Sequence, residues 1–130
     1  MAALILVVDD DEPVRVMLAR LLRTRGYTTV LAANAAEARR VLGGSEPDLV
    51  ITDIVMPGES GIDLRRWIAG ESPGLPVLLI SGYSPEGPAD FAATTPLTRF
   101  VQKPFAADDF LDLVATMLGE SGGPASAALS

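Results

Sequence analysis

The 130-residue chain contains no cysteine and no histidine. Without cysteine there is no disulfide, no thiol nucleophile and no thiolate site for zinc. Without histidine, Ser-His-Asp and Cys-His catalysis and imidazole-ligated metals are excluded. Any phosphoryl chemistry must therefore proceed without a histidine of the chain's own. Basic charge is scarce as well: 10 Lys+Arg stand against 17 Asp+Glu, a formal charge of −7. Nucleic-acid backbones demand a concentrated cationic surface, so no direct nucleic-acid binding is expected. Six of the cations, Arg15, Arg20, Arg23, Arg25, Arg39 and Arg40, read as lying on exposed helix faces. Long apolar runs are missing too. Stretches such as Leu4–Val8 fall far short of the roughly 18 residues of a membrane span, and no charged segment precedes them as in a signal peptide. The expectation is a cytoplasmic chain with no membrane insertion, whose chemistry rests on carboxylates, hydroxyls and a few cations.

What is present is a globular composition, 48% hydrophobic and 21% charged, in a length that fits one domain. There is no internal repeat. Short aliphatic runs at residues 4–8, 29–32, 49–52, 77–80 and 100–101 predict strands. The near-continuous hydrophobicity of the first, third and fourth implies burial on both faces. Between them, Val14, Met17, Leu18, Leu21 and Leu22 take the spacing of an amphipathic helix, with Pro13 in its first turn and Gly26 as its stop. Asn34 followed by Glu37 reads as a helix cap with a reciprocal partner. Leu64, Trp67 and Ile68 mark a third helix before Gly70, and Phe110, Leu113, Val114, Met117 and Leu118 a last one. Residues 82–98 carry Pro85, Pro88 and Pro96, leaving room for only a short or irregular helix around 89–93. Residues 119–130, GESGGPASAALS, read as a flexible tail or linker after a domain spanning 1–118. The alternation predicts an α/β fold, a doubly wound five-stranded parallel sheet.

Such sheets bind ligands beyond the carboxyl ends of their strands. The polar residues fall there: Asp9, Asp10, Asp11 and Glu12 after the first strand, Asp53 after the third, Ser81 at the end of the fourth and Lys103 at the end of the fifth. Each alone is commonplace, since acids favour helix N-termini and Ser-Gly favours turns. Asp11 and Glu12, just before Pro13, fit that plain description. The ordered set does not. Converging carboxylates repel unless a cation joins them or a proton is taken up, and all-oxygen ligation points to Mg²⁺.

The quoted stretches ILVVDDDEPVR (5–15), DLVITDIVMPGESG (48–61), VLLISGY (77–83) and FVQKPF (100–105) resemble the receiver domain of two-component response regulators. Four motifs in order span nearly the whole chain. The resemblance implies the flavodoxin-like receiver fold with strand order 2-1-3-4-5. It implies that Asp53 is the phosphoacceptor, taking its phosphoryl group from a phosphohistidine on a histidine kinase or histidine phosphotransfer protein. It further implies Mg²⁺ held directly by Asp10, through water by Asp9, and by Asp53 and the backbone carbonyl of Val55. Lys103 would face the phosphoryl group, Ser81 would be the switch hydroxyl and Phe100 the aromatic switch. Val55 and Tyr83, two residues beyond Asp53 and Ser81, offer no amide or carboxylate to orient a hydrolytic water, which implies slow loss of the phosphoryl group. ISGY and LTRFVQKPF resemble receivers attached to hybrid sensor kinases more than DNA-binding regulators, and a single-domain regulator is the other expected setting. The expected role is thus a signalling domain, an enzyme only toward its own Asp. The chief rival is a Mg²⁺-dependent phosphatase of the haloacid dehalogenase type, using Asp9 and Asp11. A flavodoxin-like flavin carrier is a weaker one, because the DDDE stretch would repel a flavin phosphate.

Overall fold

The computed structural model describes residues 2–82 and 97–119. In chain order the elements are β1 (Leu4–Val8), α1 (Glu12–Thr24), β2 (Thr28–Ala32), α2 (Ala35–Gly44), β3 (Leu49–Asp53), α3 (Gly61–Glu71), β4 (Val77–Ser81), β5 (Thr98–Gln102) and α4 (Ala107–Met117). The expected short helix around 89–93, Tyr83 and the tail 120–130 lie outside the described residues. All five strands are parallel, in the order β2-β1-β3-β4-β5. This is the doubly wound order that the motif resemblance implied.

Alternation of side chains along each strand splits the core into two layers. Ile5, Val7, Leu49, Ile51, Leu78 and Ile80 face one side, where Leu18 and Leu22 of α1 and Phe110 and Val114 of α4 close over them. Leu6, Val8, Val50, Val77 and Leu79 face the other, under Ala35 and Ala38 of α2 and Leu64 and Ile68 of α3. The three central strands are buried on both faces, as their unbroken apolar sequence predicted. An ion pair between Arg25, just after α1, and Asp112 of α4, 3.5 Å, ties the two helices at the surface.

Local chemistry explains the ends. Gly26, at φ +85°, makes the turn after α1 that a side chain would strain. Asn34 Oδ1 accepts the Glu37 amide at 2.8 Å, while the Glu37 carboxylate returns to the Ala33 amide, one residue earlier than the expected reciprocal bond. Helix α3 runs through Gly70 instead of stopping before it. A glycine weakens a helix without ending it, and Ser72 and Pro73 provide the stop. β3 and β4 each reach one residue past their apolar runs: Asp53, expected just after the third strand, is itself a strand residue, and Ser81 ends the fourth as expected.

Candidate functional site

Register places the polar residues together. Val8 pairs with Thr52, Asp53 with Ile80 and Ser81 with Gln102, so the ends of β1, β3, β4 and β5 form one rim. Backbone bonds carry the ladder past the strand ends: Asp9 N–H donates to Ala32 C=O (3.1 Å), Ile54 N–H to Ile80 C=O (3.0 Å) and Lys103 N–H to Ser81 C=O (2.7 Å). The loop after β5 carries a cis Lys103–Pro104 bond, and beyond it Phe105 stacks on Phe110 of α4, 5.3 Å between centroids.

Asp9, Asp10 and Asp53 each present a carboxylate oxygen within 4.8 Å of the others'. Asp9 is 1% exposed and Asp53 9%, whereas Asp10 lies at the open side. One Asp9 oxygen accepts the Asp11 amide at 2.9 Å; the other, Oδ2, is buried without a hydrogen-bond partner among the described residues. A buried, unpaired carboxylate oxygen is costly unless something positive meets it. A hard divalent cation suits that oxygen and its two neighbours, and the donor set therefore fits Mg²⁺.

Burial pushes both Asp9 and Asp53 above the ordinary carboxylate range. The backbone bond from Asp11 opposes the shift at Asp9. At Asp53 the negative charge of Asp9 adds to it. Lys103, the only lysine in the chain, lowers both carboxylates by its charge, yet it makes no ion pair within 4 Å among the described residues. Its ammonium acts across the crevice rather than by contact.

The folded state holds protons on Asp9 and Asp53 at pH values where the unfolded chain has released them, so their ionisation opposes folding at neutral pH. Lowering pH from neutral through their raised folded-state titrations should stabilise the metal-free chain, the gain being complete near the ordinary carboxylate range. Asp53→Asn should raise neutral-pH stability and flatten the rise. Urea midpoints in the presence of chelator across this window measure it; a parent midpoint that only falls from neutral toward acid would contradict the arrangement.

Ser81 is buried, its hydroxyl donating to the Gly82 carbonyl at 2.8 Å. Phe100 is partly buried against the second core layer. Val55 is 77% exposed on the loop after β3. Asp11 is exposed at the N-cap of α1 and outside the carboxylate cluster, so the Asp9/Asp11 phosphatase geometry is not favoured. Three contributors escaped the sequence reading. Arg15 Nη1 donates to the Asp9 carbonyl at 2.6 Å, bracing the acidic loop from α1. Gly61, buried at the start of α3, donates its N–H to the Ile54 carbonyl at 2.8 Å and lies against the Asp53 backbone. Arg39 of α2 pairs with Glu59 of the loop after β3. Nothing in local patterning reveals such contacts, because each joins residues brought near only by the fold; the six-residue offset from Asp9 to Arg15, one helical turn into α1, is the nearest thing to a signal.

The profile of the response regulator receiver domain matches residues 5–115. The chain belongs to that family. Among curated relatives, the DNA-binding transcriptional regulator NtrC of Rhizobium meliloti (strain 1021) is 35% identical over 118 residues, covering 91% of this chain and 24% of that protein. The receiver domain thus spans about a quarter of that relative's length. Among solved structures, a response regulator receiver protein from Pseudomonas putida has a TM-score of 0.81 at 35% identity, covering 89% of this chain and 98% of the other. The signal receiver domain of a signal transduction histidine kinase from Syntrophus aciditrophicus has a TM-score of 0.78 at 31% identity, covering 91% of each. Receiver domains from both regulators and kinases therefore resemble this one. They are signalling domains of two-component systems. No helix among the described residues is long and apolar enough to cross a membrane.

Proposed function

We propose that this receiver domain accepts a phosphoryl group on Asp53 from a phosphohistidine of a histidine kinase or histidine phosphotransfer protein, with Mg²⁺ at the carboxylate cluster, and relays the change to a downstream effector protein. The observation that carries the proposal is the buried Asp9 Oδ2, without a hydrogen-bond partner among the described residues, gathered with Asp10 and Asp53 at the rim where Lys103 supplies the opposing charge.

An Asp53 carboxylate oxygen attacks the phosphorus; the new O–P bond forms as the P–N bond to the donor imidazole breaks, and that imidazole departs with the electron pair. Asp9, Asp10, Asp53 and the Val55 carbonyl would hold Mg²⁺, which offsets the repulsion between the phosphoryl oxygens and the carboxylates. Burial of Asp53 limits the water that can reach the acyl phosphate, and Val55 brings no polar group to orient one, so hydrolysis is slow. Lys103 takes a phosphoryl oxygen as a point charge. Ser81 exchanges its bond to the Gly82 carbonyl for one to the phosphoryl group, and Phe100 follows inward, so that a local charge event is read out on β5. The domain works in the cytoplasm and makes no direct nucleic-acid contact, in keeping with its charge of −7.

Incubation with a small-molecule acyl phosphate and Mg²⁺, followed by mapping of the modified residue, tests this reading. A single label on Asp53 that chelator suppresses is expected. A label on Asp9 would instead support the phosphatase chemistry, and labelling indifferent to chelator would remove the metal from the account.

A further inference from the structure

The loop between β3 and α3, residues 54–60, is fastened at its ends and loose in its middle. Ile54 is tied to β4, and Gly61 N–H closes back on the Ile54 carbonyl. Ser60 and Asp63 cap α3 reciprocally. Between these points Val55 is 77% exposed, Gly58 turns at φ +78°, and Met56 alone reaches the core. One side chain from another element grips this stretch among the described residues: Arg39 of α2, ion-paired to Glu59. The same guanidinium lies over the Trp67 ring of α3, 5.8 Å from its centroid. The Arg39 side chain is about two-thirds buried and that of Glu59 about three-quarters, at 35% and 26% exposure. A planar guanidinium held on an aromatic face has already lost much of its rotamer freedom, so the pair sacrifices less entropy than an ordinary surface bridge.

We propose that Arg39 is a positioning residue for the phosphoacceptor loop: braced on Trp67, it holds Glu59 and thereby steadies the loop that carries the Val55 carbonyl, so that this carbonyl is in place when the metal arrives. This rests on the phosphoacceptor reading above, in which that carbonyl is a ligand. Releasing the latch leaves the three carboxylates in place but lets the fourth oxygen wander, so the loop must be ordered when the metal arrives. The cost falls on metal affinity and on loop order, not on the core.

Two readouts test it on the whole chain. In metal-free protein, amide exchange of residues 54–60 should quicken about three- to tenfold in Arg39→Gln and Glu59→Gln, with β1 and β3 amides unchanged. The Mg²⁺ concentration for half-maximal Asp53 labelling should rise by a similar factor, with the rate at saturating Mg²⁺ kept within about twofold. The double variant should be no worse than either single one, and Arg39→Lys, which keeps charge but loses the stack, should fall between. Loop exchange and Mg²⁺ requirement within error of the parent in both single variants would overturn the proposal, as would exchange that quickens equally throughout the sheet. If the parent is not labelled on Asp53 at all, the phosphoacceptor reading fails, and metal-free exchange still decides whether Arg39 orders the loop.

Discussion

Asp53→Ala should lose labelling by an acyl phosphate by roughly a hundredfold or more, because no other carboxylate occupies its place as nucleophile. Asp53 is the strand residue between Asp9 and Ser81 on the rim, buried and with a raised proton affinity. Asp9→Ala and Asp10→Ala should each reduce labelling by about tenfold at limiting Mg²⁺ through lost metal affinity, with partial recovery at high Mg²⁺. The two should differ in stability. Asp9→Ala removes a buried carboxylate with one unpaired oxygen but also the acceptor for the Asp11 amide, whereas Asp10 is exposed and its loss should leave the urea midpoint nearly unmoved. Intact-mass measurement during labelling reads all three variants. Full labelling of Asp53→Ala would refute the assignment outright, and recovery of Asp53→Ala by high Mg²⁺ would make Asp53 a mere ligand.

Gly61→Val should unfold a large fraction of the protein or shift Asp53 out of register. The Cβ of any side chain at 61 would overlap the Asp53 carbonyl oxygen, with the carbonyl carbon and Ile54 Cα at 3.0 Å. These are backbone atoms of the last residue of a central strand and of the residue after it, and they cannot rotate away. Gly61→Ala should therefore cost about 1–3 kcal/mol, the range of overpacking, and the valine more. Labelling should fall further than stability, since a displacement of about 1 Å at a reacting group can cost about a hundredfold. Gly58 is the internal control. Its φ of +78° disfavours a side chain, but a Cβ there meets nothing within 4 Å. Gly58→Ala should cost about 1 kcal/mol through conformation alone and leave labelling at saturating Mg²⁺ close to the parent. Chemical denaturation and initial labelling rates compare the two; a Gly61→Ala variant indistinguishable from Gly58→Ala would mean that β3 and α3 separate easily.

The fold was readable because its signals are local and repeat. Unbroken aliphatic runs mark strands buried on both faces, and Val14, Leu18, Leu21 and Leu22 mark a helix that covers them, while Met17 of the same stripe stays exposed. Asn34 announces the start of α2 by the same chemistry in sequence and structure. The misreadings were also local in origin. Gly70 resembled a stop because glycine often follows a helix, but packing of Leu64 and Ile68 carries α3 past it. The third strand runs one residue beyond its apolar residues and takes in Asp53, because a ladder extends as far as backbone partners exist, whatever the side chain.

The sequence by itself determined the order of elements, the apolar faces and the residue types at the strand ends, including Asp9, Asp10, Asp53, Ser81 and Lys103. Those follow from periodicity and chain connectivity, which need no third dimension. Tertiary structure alone decided that, among the described residues, Asp9 keeps one oxygen without a partner and Lys103 acts across the crevice without an ion pair, that Gly61 must leave room for the Asp53 backbone, and that Arg39 holds Glu59. Each depends on distances of a few ångströms between segments far apart in the chain. Such distances are set by strand register and by the packing of helices on the sheet, and the same residue types in the same order leave them open.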